Sequence, residues 1–227
     1  LLYGLALIYG ATGVTSYTDI AAVLQSQPDL ANGALMRLGV ALILVGFGFK
    51  LAFVPFHLWT PDVYEGAPTP VTAFMSVGTK AAVFGALMRL LVLAFPSMAY
   101  DWVPILSALA IVTMLVGNVV ALVQDNIKRL LAYSSIAQAG YVVVAVVAGT
   151  YGEPSVMFYM LAYTIMNIGA FAVVIALGQR GETSLDIRDY TGIGYRQPFL
   201  AAAMAIFLLS LAGIPPTAGF FGKLYLF

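Results

Sequence analysis

Three lysines stand inside apolar helix patterns: Lys50, Lys80 and Lys223. A lysine in hydrocarbon costs at least ~2.5–3.5 kcal/mol on insertion scales, so each needs a compensating role. An amine at that depth can work as a proton carrier. Burial and a nearby carboxylate set whether it holds its proton at working pH, and a relay needs a group that gains and loses one. Two of the three lie beside helix breaks. Pro55 follows Lys50, and Pro215-Pro216 precedes Lys223. His57 is the single histidine and comes two residues after Pro55. Its ordinary titration lies near neutral pH. About two helical turns from Lys50, it is a candidate to pass protons to or from that lysine. Its bland alternative is an interfacial histidine that bonds a backbone group.

The carboxylates are distributed differently. All ten acids fall in expected loops: Asp19, Asp29, Asp62, Glu65, Asp101, Asp125, Glu153, Glu182, Asp186 and Asp189. None shares the depth of the three lysines. Each lysine is therefore neutral, in contact with internal water, or facing a carboxylate outside this stretch. One membrane lysine can simply snorkel or bond a freed carbonyl at a kink. Three of them, two beside broken helices, favour a functional path. Transporters build ion sites from discontinuous helices in corresponding positions of two repeats. Lys50 with Pro55, and Pro215-Pro216 with Lys223, fit that pattern.

The elements that must position these groups are membrane spans. Hydrophobic residues make up 62% of the chain and charged residues 9%, far from the near-half and one-quarter of soluble domains. The class is an all-α, polytopic transmembrane bundle. Net charge is zero, which argues against nucleic acid as a partner. Without cysteine there are no disulfides and no thiolate metal sites. No phosphate loop, metal-ligand cluster or nucleophile triad is present. The chain begins and ends within apolar runs, and reads as a single domain over 1–227, cut from a longer protein at both ends.

Seven spans are expected: Leu1 to about Gly13, Leu38 to Trp59, Thr69 to Phe95, Trp102 to Gln124, Ile127 to Ala148, Ser155 to Leu177, and Pro198 to Ile214. An eighth starts at Thr217. Thr15 to Met36 reads as a loop with room for a short surface helix, Thr60 to Pro68 reads as a connecting loop, and Gln179 to Gln197 is the longest charged connection. Alternating spans put the loops near 62, 125 and 188 on one side, with Lys128, Arg129, Arg180, Arg188 and Arg196. The positive-inside rule makes that side cytoplasmic. Arg37 and Arg89 are near enough to span ends to snorkel. Trp59 and Trp102 look like interfacial anchors. Tyrosines and methionines read as packing. Gly46, Gly48, Gly78 and Gly85 predict close helix contacts. Ser134, Ser135, Gln138, Asn118 and Asn167 are polar groups within spans, either helix glue or members of a relay.

The stretches GFGFKLAFVPFHLWTPDVYEGAPTPVTAF, DNIKRLLAYSSIAQAGY and LAGIPPTAGFFGKLYLF closely resemble the proton-translocating, antiporter-like membrane subunits of respiratory complex I. The resemblance covers essentially the whole chain. The HLWTPDVYEGAP form favours the N-type branch over the L and M types and the Mrp-type sodium/proton antiporters. The resemblance implies a fold of about fourteen helices, with two inverted five-helix repeats that each contain a broken helix. This chain would run from the sixth helix to the start of the twelfth. Lys50 would be the broken-helix lysine of the first half-channel, Lys80 the central connecting lysine, and Lys223 the lysine of the second broken helix. Lys128 matches a further family lysine near the start of a span and joins Lys50, Lys80, Lys223 and His57 as a proton-relay candidate. The glutamate partner of Lys50 would lie on the helix before Leu1. Some relatives have histidine where this chain has Gln138. The implied activity is proton pumping driven by quinone reduction, with NADH, FMN, iron–sulfur clusters and quinone all in partner subunits. The implied partners are other membrane-arm subunits, lipid, protons and internal water. The implied location is the bacterial inner membrane. A stand-alone cation/proton antiporter, a membrane scaffold, and a related complex with another electron donor, such as the photosynthetic type, are the alternatives.

Overall fold

The computed structural model describes residues 1–178 and 185–227. Arg180 and Glu182, two charges of the longest expected connection, lie outside them. The described residues form thirteen α-helices. They are α1 (Leu2–Thr12), α2 (Tyr17–Ser26), α3 (Pro28–Asn32), α4 (Ala34–Leu51), α5 (Trp59–Gly66), α6 (Thr69–Phe74), α7 (Lys80–Arg89), α8 (Ala99–Ala121), α9 (Ile127–Val147), α10 (Glu153–Leu177), α11 (Ile193–Arg196), α12 (Pro198–Ala212) and α13 (Ala218–Leu226). Five stretches are long and apolar enough to cross a membrane: Ala34–Leu51, Thr69–Ala94, Pro96–Ala121, Ile127–Val147 and Gly149–Leu177. α1 and α12 are shorter apolar helices.

Short helices occupy both of the polar stretches before and after α4. Thr15 to Met36 contains α2 and α3, because Ile20 and Leu24 recur on one face and are buried. Trp59–Gly66 is α5 rather than a connecting loop. Pro61 falls in its first turn, where a missing N–H is harmless, so the proline that suggested a loop marks a helix start.

α6 and α7 are parts of one rod, joined by a π turn at Met75–Thr79 and followed by another at Leu90–Ala94. A π turn holds one extra residue, so everything after it is rotated by about 100°. The first of these turns ends directly before Lys80 and helps aim that side chain inward.

α9 is the central rod. Two-thirds of its span (67%) is buried, against 22% for the span containing α8. α8 lies closely along it, with a glycine on each helix meeting larger residues of the other. A Cβ on Gly117 would sit 2.7 Å from the Ala137 nitrogen, and one on Gly140 would sit 3.0 Å from the Met114 nitrogen. Of the four glycines expected at contacts, Gly46 meets Leu1 and Gly48 meets Phe56. Gly78 meets only Phe74 of its own rod, and Gly85 faces open space.

The loops sort to two ends, as the alternation of spans requires. Ile127 N donates to Leu185 O (2.9 Å) and Ile187 N to Asp125 O (2.8 Å), while Asn126 Nδ2 reaches Glu65 Oε1 (3.1 Å). The 62, 125 and 188 connections therefore share one end. At the other, α2 packs on Leu90–Ala94 and on the 3₁₀ turn Pro96–Met98. Arg37 there pairs with Asp101 (3.5 Å), and the Arg89 guanidinium lies 6.0 Å from the centre of the Tyr17 ring. Trp102 is no interfacial anchor: it is buried, and its indole donates to Phe95 O (3.0 Å).

Candidate functional site: two helix breaks joined by a buried polar core

The two breaks share one order. α4 ends at Ala52, in the left-handed region (φ 62°), and α12 ends at Gly213 (φ 85°). A proline follows three residues later in each, at Pro55 and Pro216. A second helix then starts, α5 or α13. α4–α5 runs toward the end that holds the 62, 125 and 188 loops, and α12–α13 runs away from it. The two broken helices are thus antiparallel, as inverted repeats require.

Helix ends leave carbonyls unpaired, and in a membrane these must find donors. At the first break Trp59 Nε1 donates to Phe49 O (2.9 Å) and its ring stacks on Phe49 (5.4 Å). Trp59 thus bridges the break, a role that its interfacial reading missed. Val54 N, in the unwound segment, donates to Thr113 Oγ1 of α8 (3.0 Å).

At the second break the proline pair is decisive. In a continuous helix the N–H groups of residues 215 and 216 would serve the carbonyls of Leu211 and Ala212. Prolines have no N–H. Lys223 supplies the donors instead: its Nζ lies 2.8 Å from Leu211 O and 3.1 Å from Ala212 O. The ammonium also stands 4.7 Å from the centre of the Tyr141 ring, within cation–π range. A cation at a helix C-terminus is favoured by the helix dipole as well. Lys50, in the last turn of α4, occupies the comparable end of the first break.

Lys80 is buried, and its amine donates to Ser135 O (2.6 Å) and lies 2.5 Å from Ser135 Oγ. Tyr163 OH donates to the same hydroxyl (2.9 Å), and the Tyr64 phenol also bonds the Ser135 side chain. Ser135 and Gln138 are three residues apart on α9, so they lie on one face. Gln138 Nε2 donates to Leu211 O (2.9 Å), and Gln138 Oε1 accepts from Tyr159 OH. Lys80 and Lys223 therefore both reach acceptors that α9 holds or touches. Beside Lys80 is a gap lined by Phe84, Val142, Met160, Ser135, Gln138, Tyr159 and Tyr163, too tight to admit a water molecule. Above Lys80, Asn167 Nδ2 donates to Ser76 Oγ (2.6 Å) in the π turn.

The other sequence candidates lie elsewhere. Lys50 faces outward between α4 and the start of α1, beside Leu1, Phe49 and Phe56. It is at the expected break but not buried within the described residues. His57 is buried in the unwound segment, its ring centre 6.5 Å from that of Tyr133. No hydrogen bond joins it to Lys50 among the described residues. Lys128 is fully buried, and its amine reaches Ala67 O (2.6 Å), between α5 and α6. It is joined to the loop end of the bundle, away from Lys80 and Lys223. Asn126 caps α9 above it, accepting from Lys128 N (2.8 Å) and Arg129 N (3.3 Å).

Sequence reasoning missed the tyrosines and Arg129. Tyr159 and Tyr163 are four apart on α10, a spacing that signals a shared face. Tyr64 carries no comparable signal. Arg129 pairs with Asp62 (2.8 Å) and Glu65 (2.7 Å), which are three apart on α5. These groups are partly exposed, so the cluster contributes about 1 kcal/mol or less. Arg129→Gln is expected to lower thermal stability in detergent by that amount at low salt, with the difference shrinking at 1 M salt as screening sets in. A deficit independent of salt would show that packing, not charge, is what Arg129 supplies.

The family model described as NADH:quinone oxidoreductase/Mrp antiporter, transmembrane, matches residues 1–227. The NADH-quinone oxidoreductase subunit N of Trichlorobacter lovleyi is 58% identical over 228 residues, covering 100% of this chain and 47% of the relative. A chain of respiratory complex I from Thermus thermophilus, solved with bound aureothin, superposes with a TM-score of 0.80 at 41% identity, over 99% of this chain and 47% of that one. A chain of the Mrp complex from Dietzia sp. gives a TM-score of 0.82 at 27% identity, over 99% and 41%. The chain thus spans about half the length of such relatives. With antiparallel broken helices around a buried lysine, and a family match from its first residue to its last, the chain belongs to the NADH:quinone oxidoreductase/Mrp antiporter transmembrane family.

Proposed function

We propose that this chain forms part of a proton path in a membrane subunit of a redox-driven, complex I-type NADH:quinone oxidoreductase. The observation that carries the reading is the arrangement of Lys80 and Lys223 around α9. Both amines are held by hydrogen bonds that a lysine can leave and remake, and no described carboxylate pairs with either. An acid fixed beside a lysine would hold it protonated. Carbonyl and hydroxyl acceptors leave the proton more easily released to water. Protons move between Lys50, Lys80 and Lys223 through internal water that enters when the bundle loosens around the tight gap.

Lys50 takes the outer position of the first half-channel and pairs with a glutamate of a neighbouring helix. His57 lies in the same break and serves as the exchange point between Lys50 and the end where the 62, 125 and 188 loops meet, which is the cytoplasmic end. Lys128 anchors that end. NADH oxidation and quinone reduction take place in partner subunits, which hold the FMN, iron–sulfur clusters and quinone. Other membrane-arm subunits and lipid cover the apolar outer faces. The Mrp likeness favours one second reading, a cation/proton antiporter without redox partners.

The test is proton pumping in membrane vesicles by the full-length subunit in its complex. Lys50→Ala and Lys223→Ala are each expected to lower pumping several-fold, with assembly and quinone reduction largely kept. Normal pumping in both assembled variants would end the relay reading. Sodium-dependent transport by the isolated subunit would move the assignment to the antiporter.

A further inference from the structure

One backbone oxygen receives donors from two side chains. Leu211 O accepts from Lys223 Nζ (2.8 Å) and from Gln138 Nε2 (2.9 Å). It is one of the two carbonyls that the proline pair leaves without an N–H. Gln138 is buried on the central rod, and its other end is fixed by Tyr159 OH. Tyr159 is itself fully buried, stacked on Tyr163 with ring centres 6.4 Å apart. Tyr163 bonds Ser135, the acceptor of Lys80. The amide of Gln138 thus has its donor and its acceptor both committed, and its orientation follows from Tyr159, which offers a hydroxyl hydrogen to the amide oxygen.

We propose that Gln138, oriented by Tyr159, is the positioning residue of the Lys223 site. It ties the acceptor of Lys223 to the same helix that carries the acceptor of Lys80. A carbonyl oxygen has two lone pairs. Gln138 occupies one and leaves Lys223 the other, so the ammonium approaches from one direction only. The amide does not titrate, so Gln138 carries no proton. Its role is to keep Leu211 O in place whether or not Lys223 bonds it. When Lys223 leaves with its proton, the exposed carbonyl retains one donor and the break does not repack. Ser135 and Gln138 share a face of one rigid helix, so a movement of α9 changes both lysine sites together.

This inference rests on the proton-path reading, and the experiment separates the two. Gln138→Leu, Gln138→His, Tyr159→Phe and Lys223→Ala are compared in the full-length subunit within its complex, for assembly, quinone reduction, and pumping as a function of pH. Gln138→Leu is expected to assemble, to reduce quinone, and to pump several-fold less. The pH at half-maximal pumping is expected to move by a unit or more. Tyr159→Phe should give the same kind of shift, smaller, and should add little to Gln138→Leu, because both act on one amide. Gln138→His should restore pumping, since an imidazole N–H can donate to Leu211 O while its other nitrogen accepts from Tyr159. If Gln138→Leu does not assemble, Tyr159→Phe alone decides, because it removes a single oxygen from a buried ring. A defective Lys223→Ala beside Gln138→Leu and Tyr159→Phe variants with unshifted pH profiles would overturn the positioning role and leave the proton path standing. Normal pumping by Lys223→Ala would overturn the positioning role and take Lys223 off the path, and normal pumping by Lys50→Ala as well would end the path itself.

Discussion

Lys80→Met will pump at least about tenfold fewer protons per quinone reduced, in a complex that still assembles. Of the three mid-span lysines, Lys80 is the one buried outright, and it is bonded to the central rod through Ser135. Methionine keeps the length and flexibility of the side chain, so the pocket among Phe84, Met160 and Tyr163 stays filled. The charge and all three N–H donors go. Ser135 Oγ keeps Tyr163 as a donor (2.9 Å), and Ser135 O keeps the ordinary helix geometry of α9. The structural cost is thus at most about 1–3 kcal/mol for an under-satisfied acceptor, which a large bundle tolerates. Pumping and quinone reduction should separate in this variant. Pumping within a factor of two of the unaltered complex, at full assembly, would remove Lys80 from the path. Lys80→Arg makes a useful companion. It keeps the charge but is effectively always protonated, so it should fail as methionine does if proton release matters, and should work if a fixed charge suffices.

The second large effect is one of packing. Gly219→Val is expected to prevent the second break from forming, with little folded subunit recovered from membranes. A Cβ at Gly219 would stand 1.8 Å from Ser210 O and 2.7 Å from the Ser210 carbonyl carbon. Those are backbone atoms of α12, so relief requires α13 to move off α12. One further contact would be lost with it. Gly219 N donates to Ser210 Oγ (3.1 Å), which also reaches Met166 Sδ (2.7 Å). Overpacking of a rigid site costs about 1–3 kcal/mol or more, and this one displaces a whole half-helix together with Lys223. Gly222→Ala gives the contrast. Its Cβ would meet Tyr159 Cδ2 at 2.6 Å, a side-chain atom that can shift. That variant should fold, while disturbing the Tyr159–Gln138 bond and pumping with it. Equal recovery of Gly219→Val and the unaltered subunit would show that the two half-helices are not held as closely as the structure has them.

Much of the architecture was legible in the residues. Long apolar runs separated by Pro, Gly and acid identify spans, because a bilayer core admits little else. The second break was legible in detail. Two adjacent prolines remove two donors, and the carbonyls four residues earlier must then seek others. The order of loops followed from alternation alone. The errors were at the surface ends. Asp62 and Glu65 suggested a loop, yet three-residue spacing on α5 turns both toward Arg129. Pro61 was read as a breaker where it is a starter.

Sequence by itself determined which groups carry charge into the membrane and where the backbone breaks, since both depend on residue type and local spacing. It did not determine what those groups touch. That Lys80 bonds Ser135, that Gln138 and Lys223 meet on Leu211 O, and that Lys50 looks outward are set by the packing of helices far apart in the chain. Helical periodicity gives a residue its face, but neither the helix opposite nor its height along the rod. Close approaches at Gly117, Gly140 and Gly219 set those, and with them the tertiary structure decides which of the buried polar groups form one site.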